Sequence, residues 1–174
     1  MILTIKPENC TGCLACEIYC SLAHEGQIVT SLSRIKIHMD ENRQILAPVV
    51  CLPCENKHCI QACPEKGAIY IDNNGAVVIN EALCTGCSRC VRACPIGAIH
   101  FHRLPGRGKK GIAVALKCDQ CGGDPWCVRV CPNDAIQLVD SISEPTTIIK
   151  RIQSSLEMIK VEASMNDRKG SHHA

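Results

Sequence analysis

Aromatic residues are nearly missing from this sequence of 174 residues. Phe, Tyr and Trp together contribute four side chains, namely Tyr19, Tyr70, Phe101 and Trp126. A core built around aromatic rings is therefore excluded. The hydrophobic share of 46% includes sixteen cysteines, so the apolar residues that remain are a modest set of Ile, Val, Leu and Ala. We expect something inorganic to fill part of the interior.

Long apolar runs and targeting features are also missing. No uninterrupted apolar stretch approaches the ~18–20 residues that a membrane-spanning helix requires. The residues before Cys10 contain no basic segment, no apolar stretch and no twin arginine, so they do not resemble a secretory signal. We therefore expect a cytoplasmic protein without a direct membrane span.

The sequence has no recognisable catalytic machinery and no strong charge of either sign. It offers no nucleophile paired with a base, no glycine-rich nucleotide loop and no open metal site. The net charge of +2 and the pI of about 7.9 come without a basic stripe interleaved with aromatic residues, which argues against nucleic-acid binding. We expect a protein that is not itself an enzyme.

Cysteine is what the sequence has in excess. The sixteen cysteines fall into four groups of four, and three residues always separate the third cysteine of a group from the fourth. Groups 1 to 4, in chain order, are Cys10, Cys13, Cys16 and Cys20; Cys51, Cys54, Cys59 and Cys63; Cys84, Cys87, Cys90 and Cys94; and Cys118, Cys121, Cys127 and Cys131. Groups 1 and 3 follow the pattern C-x2-C-x2-C-x3-C, while groups 2 and 4 have a wider gap before the third cysteine. No cysteine is left over.

The segments after the last cysteines form an internal repeat. Pro64, Pro95 and Pro132 each directly follow a fourth cysteine, and each is followed within a few residues by an Ala-Ile pair. We predict that the first three cysteines lie on a tight loop, that the fourth lies on a short helix, and that proline ends this helix. The Ala-Ile tails predict short strands, with matching strands at 2–5, 76–79 and 112–116. The fold class is α+β, built from repeated βαβ-like units.

Cysteines at this spacing suit an iron–sulfur cube. A compact loop reaches three corners of the cube, and in the bacterial C-x2-C-x2-C-x3-C-P pattern the fourth cysteine ligates the other cluster of a pair. Structural zinc is an alternative, but zinc sites separate two close cysteine pairs by a long span. Disulfides are disfavoured by the short spacings and the missing secretory signal. We predict four [4Fe–4S] clusters, which would bring the net charge to about −6.

Together the four groups resemble the four-cluster ferredoxin-type iron–sulfur subunits of molybdenum and tungsten pterin oxidoreductase complexes, and of formate, carbon monoxide and hydrogenase systems. The resemblance spans residues 4–140. Three details carry it: the missing proline after Cys20, the four-residue gap in group 2, and the opening K-C-D-Q-C of group 4 at residues 117–121. The compact chain is most similar to the small electron-transfer subunits of tungsten aldehyde oxidoreductases.

The resemblance implies crossed ligand sets. The outer groups 1 and 4 would share two clusters and the inner groups 2 and 3 the other two, each cluster taking three cysteines of one group and the last cysteine of its partner. The implied sets are Cys10, Cys13, Cys16 and Cys131; Cys118, Cys121, Cys127 and Cys20; Cys51, Cys54, Cys59 and Cys94; and Cys84, Cys87, Cys90 and Cys63.

The resemblance also implies two pseudo-symmetric ferredoxin-like halves around the clusters, within a domain at residues 1–140. The outer half would come from residues 1–34 and 112–140, and the inner half from residues 45–102. Several cations close in sequence to the cysteines would raise nearby reduction potentials, namely Lys57, Lys66, Arg89, Arg92 and Lys117.

Two segments outside the cysteine groups are candidates for contacts with partners. Residues 103–110 carry four positive side chains and no acid, so this loop is either a solvated linker or a docking site for an acidic ferredoxin. Residues 141–165 predict an amphipathic helix whose apolar stripe is Ile148, Ile149, Ile152, Leu156 and Ile159. The helix packs on its own domain or on a partner, and we expect part of the stripe to meet the catalytic partner or another copy of the chain. Residues 166–174 predict a polar, disordered tail.

The function that these features predict is electron transfer. The chain would relay electrons between a catalytic subunit, of the tungsten or molybdenum pterin, aldehyde oxidoreductase type, and an external donor or acceptor such as a flavin subunit or an acidic ferredoxin. The alternative is a free polyferredoxin that shuttles between several enzymes. A structural or regulatory protein that senses oxygen is a weaker alternative, because sensing needs one exposed cluster and not four.

Overall fold

A computed structural model describes residues 2–40, 45–52, 54–103 and 113–140, and the pairs 149–150, 153–154 and 156–157. Most of the basic loop at 103–110 and the whole tail at 166–174 lie outside these residues. Among the described residues, no helix is both long and apolar enough to cross a membrane.

The described residues form a small α+β fold of short strands and helices, as the sequence predicts. The strands are β1 (Ile2–Ile5), β2 (Lys36–Asp40), β3 (Ile45–Val49), β4 (Ile69–Ile71), β5 (Val77–Ile79), β6 (Ile99–His102), β7 (Val114–Lys117) and β8 (Ile136–Val139). The helices are α1 (Ala15–Glu25), α2 (His58–Ala62), α3 (Arg89–Ala93) and α4 (Trp126–Arg129). Short 3₁₀ turns lie at Pro7–Asn9, Thr30–Leu32 and Gln120–Gly123.

The strands pair as antiparallel two-stranded sheets, β1 with β8, β2 with β3, β4 with β5, and β6 with β7. The first sheet joins the beginning of the cysteine-bearing region to its end, with Ile2 opposite Val139 and Ile5 opposite Ile136. The β2–β3 hairpin has no counterpart among the predicted strands. Strand β7, which the sequence assigns to the outer half, pairs with β6 of the inner half. The division into pseudo-symmetric halves stays a prediction.

Proline sets the length of three helices. Helices α2 and α3 end directly before Cys63 and Cys94, because the proline that follows each cysteine cannot continue the helix. Group 1 has no such proline, so α1 continues past Cys20 to Glu25 and ends at Gly26, whose φ is +67°. The prediction that the fourth cysteine lies on the helix is therefore wrong except at Cys20. It is the third cysteine of every group that lies within a helix.

The cysteines are part of the buried core. One buried cluster contains Leu3, Ile35 and Val49 together with four cysteines, Cys16, Cys20, Cys118 and Cys127. A second joins Ile69 and Ile99 to Cys59 and Cys90. Two of the few aromatic rings lie at the surface, where Tyr19 and Trp126 stack with centroids 6.3 Å apart. Sulfur thus occupies interior positions that aromatic side chains fill in other proteins.

The described part of the C-terminal stripe packs on its own domain. The residues described between 149 and 157 are helical. Ile149 and Leu156 contact the first core cluster, and Gln153 Nε2 donates a hydrogen bond to the Pro95 carbonyl at 3.0 Å. Ile148, Ile152 and Ile159 lie outside the described residues. Contact between the stripe and a partner therefore remains a prediction.

Candidate metal centres

The structure brings the last cysteine of group 4 to the first three cysteines of group 1. Cys10, Cys13, Cys16 and Cys131 line one small pocket, which we call quartet 1. Burial raises the pKa of the Cys10 thiol, and the nearby thiols of Cys13 and Cys131 raise it further. Burial and the adjacent carboxylate of Glu17 raise the pKa of Cys16 to about 12.

Quartet 2 combines the first three cysteines of group 4 with the last of group 1, namely Cys118, Cys121, Cys127 and Cys20. Burial raises the pKa of Cys127, with further contributions from the Cys20 and Cys121 thiols. Burial likewise raises the pKa of Cys121, which also lies close to Cys20. The pKa of Cys118 lies well above its usual value, because this thiol is buried and close to Cys51 and Cys127.

The inner groups are crossed in the same way. Cys51, Cys54, Cys59 and Cys94 line a pocket that we call quartet 3, and Cys63, Cys84, Cys87 and Cys90 line a pocket that we call quartet 4. Burial raises the pKa of Cys59 and of Cys90 to about 11 each, and thiols of the same quartet add to both shifts. The four quartets are the combinations that the resemblance implies. Which sulfurs bind which cluster stays a prediction.

The quartets follow one another in a row. Cys16 of quartet 1 is close enough to Cys127 of quartet 2 to raise its pKa, although burial contributes most. Cys118 of quartet 2 is similarly close to Cys51 of quartet 3. Quartets 3 and 4 meet where α2 packs against α3. The two exposed cysteines, Cys13 and Cys87, belong to quartets 1 and 4, so each end of the row carries one exposed cysteine.

Groups 1 and 3 present their cysteines on the same backbone turn. The sequence Thr-Gly-Cys occurs in both, with Gly12 and Gly86 each at φ +69°. The residue after the second cysteine is also left-handed, Leu14 at φ +61° and Ser88 at φ +64°, and it is the N-cap residue directly before the following helix. Left-handed backbone at such residues is strained and persists only where surrounding structure enforces it. A Cβ at Gly12 would also lie 3.2 Å from Leu46 Cδ2.

Backbone N–H groups donate to three of the four last cysteines. Ala98 N and Ala135 N lie 3.3 Å from the Sγ atoms of Cys94 and Cys131, so the repeated Pro-x-x-Ala segment places a donor on the sulfur. Cys20 has no proline after it and receives its bond from Arg34 N at 3.2 Å, fourteen residues along the chain. Such donors stabilise thiolates over thiols and raise cluster potentials.

A charged pair connects the two chain segments that supply the cysteines of quartet 2. His24 Nδ1 donates to the Cys20 carbonyl at 2.8 Å, and His24 Nε2 donates to Asp119 Oδ1 at 3.0 Å. Asp119 Oδ1 also accepts the Cys121 N–H at 2.9 Å. The bond to Asp119 raises the pKa of His24 to about 10, and the bond from His24 lowers the pKa of Asp119 to about 2 against the effect of burial. Both groups are therefore charged at neutral pH.

This pair could not be found from the sequence, because its members are 95 residues apart and the histidines show no ligand spacing. His24, Asp119 and Cys121 offer ligand atoms within 4.8 Å of one another, which is also a spacing that a metal ion accepts. The Cys121 sulfur belongs to quartet 2, however, and the carboxylate already bonds to the histidine and the loop. We therefore interpret the pair as a support of quartet 2.

The quartets fit [4Fe–4S] clusters. Quartets 1, 3 and 4 each line a largely enclosed pocket. All four quartets contain buried thiols with raised pKa values, which need a strongly cationic core if they are to become thiolates. Left-handed turns and N–H donors complete the surroundings that such clusters require. The donor set contains only sulfur, as it does in clusters held by four cysteines.

Comparison with known proteins identifies the class to which the chain belongs. Residues 42–141, more than half of the chain, match the family described as the 4Fe-4S dicluster domain. The chain is a member of this family.

Particular relatives extend the similarity beyond this segment, and one of them covers nearly the whole chain, including group 1. The chain is 40% identical over 123 residues to the polyferredoxin-like subunit of an aliphatic sulfonate oxidoreductase from Pyrococcus furiosus, an alignment that covers 71% of this chain and 66% of the relative. It is 35% identical to formate hydrogenlyase subunit 2 of Escherichia coli, with 76% and 78% covered. It is 30% identical to a subunit of polysulfide reductase from Wolinella succinogenes, with 94% and 88% covered. The chain thus spans just under two thirds of the Pyrococcus relative and more of the other two.

Proposed function

We propose that this chain is the electron-transfer subunit of an oxidoreductase complex and that its four quartets hold four [4Fe–4S] clusters. The observation that carries the proposal is the row of four quartets with one exposed cysteine at each end. When bound, such clusters accept and release single electrons. The chain's own contribution is to hold the sulfurs in sequence, exclude water from the interior quartets and leave the two ends accessible.

The names of the relatives support the assignment to a complex. The Pyrococcus protein is called a subunit of a sulfonate oxidoreductase, the Escherichia protein a subunit of formate hydrogenlyase, and the Wolinella protein is one of the polypeptides of polysulfide reductase. We propose for this chain a catalytic partner of the tungsten or molybdenum pterin type, with an aldehyde oxidoreductase as the specific form. The missing proline after Cys20 and the patterns of groups 2 and 4 are the basis for a pterin-type partner, and the lack of long insertions between the groups is the basis for an aldehyde oxidoreductase.

The cluster content is tested by metal analysis. Protein prepared without oxygen is expected to contain about sixteen iron atoms and as many acid-labile sulfides per chain, and dithionite should reduce the clusters one electron at a time. Eight iron atoms would reduce the proposal to two clusters. Bound zinc with little iron would remove it.

The place of the chain in a complex is tested by gentle purification of a tagged copy from its own cells. A subunit is expected to bring a larger catalytic chain with it, and metal analysis of that chain for tungsten and molybdenum tests the proposed partner. A chain that leaves the column alone, yet is reduced by several different enzymes, would favour the free polyferredoxin.

A further inference from the structure

Lys117 is a buried lysine at the end of β7, directly before Cys118. Its side chain is 7% exposed. The Nζ atom donates a hydrogen bond to the Cys118 carbonyl at 2.7 Å and another to the Val77 carbonyl. A lysine is almost never fully buried unless its charge serves another group, so the position requires an explanation.

The ammonium lies between quartets 2 and 3. Lys117 lines the pocket of quartet 3, and it also lines a cavity of about 330 Å³ that reaches both Cys51 of quartet 3 and Cys118 of quartet 2. The two carbonyl oxygens that accept from its Nζ atom favour the charged form of the side chain. The side chain therefore carries a fixed positive charge at the middle of the row.

Arg34, a second buried cation, is neutralised by acids. It is 5% exposed, forms an ion pair with Glu25 and lies 3.9 Å from Glu81. Lys117 donates to two carbonyl oxygens, which carry no net charge, and its ammonium also bonds to the sulfur of Cys51 in quartet 3. Other cations near the cysteines differ in exposure: Lys66, Arg89 and Arg92 face water, which screens their charges.

We propose that Lys117 raises the reduction potentials of the two interior clusters, those of quartets 2 and 3, above the values they would have without its charge. The inference rests on the proposed function. Adding an electron to a cluster adds one negative charge, and a buried positive charge nearby stabilises the reduced form more than the oxidised form. The electron stays on the cluster, and Lys117 exchanges no proton. The interior of the row thereby becomes the favoured resting place for electrons that enter at either end.

The test compares Lys117→Met, which removes the charge at similar length, with Lys117→Arg, which keeps it. Lys66→Met is the matched control, because it removes an exposed charge close to Cys63. Midpoint potentials of all clusters are measured by redox titration monitored by electron paramagnetic resonance, together with the iron content of each preparation.

In Lys117→Met, two of the four midpoint potentials are expected to fall by at least about 59 mV. For a one-electron couple this is a tenfold decrease in the equilibrium constant for reduction. In Lys117→Arg, the equilibrium constants for reduction of these two clusters should stay within about threefold of the wild-type values. In Lys66→Met, none of the four constants should change by more than about twofold. Unchanged midpoints in Lys117→Met, or an equal shift of all four, would overturn the proposal.

If Lys117→Met loses iron, Lys117→Gln is measured in its place, because glutamine removes the charge but keeps a donor for the Cys118 carbonyl. The same shifts in midpoint potential are expected. Loss of iron from both variants would assign Lys117 a purely structural role and also overturn the proposal. The proposed function fails separately, through a wild-type protein that lacks iron. If the wild type contains its iron but the midpoint potentials do not change in Lys117→Met, only the role of Lys117 is overturned.

Discussion

The outer quartets 1 and 2 and the inner quartets 3 and 4 each contain four cysteines but are assembled in different ways. The inner pair comes from one continuous stretch between Cys51 and Cys94, in which two one-turn helices pack side by side. The outer pair joins segments separated by about a hundred residues, so closing it costs more chain entropy. Three contacts hold these distant segments together: the β1–β8 sheet, the contact between α1 and α4, and the His24–Asp119 pair. The inner quartets thus draw on a shorter stretch of chain than the outer quartets, which depend on contacts between more distant segments.

The largest difference between the outer and inner pairs is expected when one crossing cysteine is removed from each. Cys20→Ser is expected to disturb the cluster whose other ligands are Cys118, Cys121 and Cys127, and Cys63→Ser that of Cys84, Cys87 and Cys90. Each variant should lose up to about four of about sixteen iron atoms, because serine is a poor ligand for iron–sulfur clusters. Iron analysis and electron paramagnetic resonance measure the loss. A change confined to the cluster of Cys10, Cys13 and Cys16 in the Cys20 variant would contradict the crossed assignment.

Truncation after Asp140 should affect the quartet 3 cluster most. Ile149 lines the pocket of quartet 3, and Leu156 packs with it on the first core cluster, so their removal exposes apolar surface worth about 1–2 kcal/mol. We expect purified iron content near that of the full chain, but loss of the quartet 3 cluster in air about 5–30 times faster. The rate is followed by bleaching of the visible absorbance. Leu156→Ala should produce a smaller change in the same direction.

If the remainder of the stripe also meets a partner, the truncated chain should retain less of its catalytic chain on co-purification. Equal recovery of the partner with both forms would restrict the helix to its own domain.

The His24–Asp119 pair is expected to matter for the outer quartets alone. In a double-mutant cycle with His24→Asn and Asp119→Asn, we expect a coupling of about 1–2 kcal/mol, because the bonded pair is partly buried and joins two distant segments. The cycle is read as the rate at which the quartet 2 cluster is lost to a chelator, with the inner clusters as internal reference. Additive effects of the two substitutions would show that the pair is not a tie.

The smallest expected effect concerns pH and β6. Burial, with the nearby charges of Lys36 and Arg34, lowers the pKa of His100 to about 4 from an ordinary value near 6.5. The unfolded chain therefore binds a proton more readily than the folded chain, and stability that is present above about pH 6.5 is lost as the pH falls toward 4. His100 is partly exposed, so we expect a loss of about 1 kcal/mol between pH 7 and 5.

Denaturant unfolding of wild type and His100→Gln at both pH values isolates this contribution. The variant should show a correspondingly smaller loss of stability. Equal losses in both proteins would mean that His100 does not contribute to the pH dependence.

The local features of the candidate site could be predicted from the sequence to a large extent. Cysteine spacing located the four groups, and the Ala-Ile tails predicted β4, β6 and β8 to within a residue or two. The placement of the fourth cysteine was predicted wrongly in three groups. Proline at the next position restricts the residue before it, so Cys63, Cys94 and Cys131 lie beyond the helix and not on it.

Contacts between distant segments were beyond prediction. Nothing near Cys20 indicates that Arg34 N would supply its hydrogen bond, and nothing in the spacing of His24 and Asp119 marks them as a pair. The β2–β3 hairpin was also missed. Glu17 anchors it to α1 by accepting the Ile37 N–H at 2.7 Å, a contact that no local pattern reveals.

The grouping of the cysteines and the prolines after Cys63, Cys94 and Cys131 involve residues that are neighbours along the chain, since a few bonds limit what such residues can reach. The order of the quartets, the exposure of Cys13 and Cys87 at its ends and the burial of Lys117 at its middle follow from the packing of segments far apart in sequence. The sequence Lys117-Cys118 does not reveal this burial, because the same two residues could equally lie on a solvated loop. The pairing of β7 with β6 and the contact with Val77 remove the charge of Lys117 from water. In the protein interior that charge is less screened.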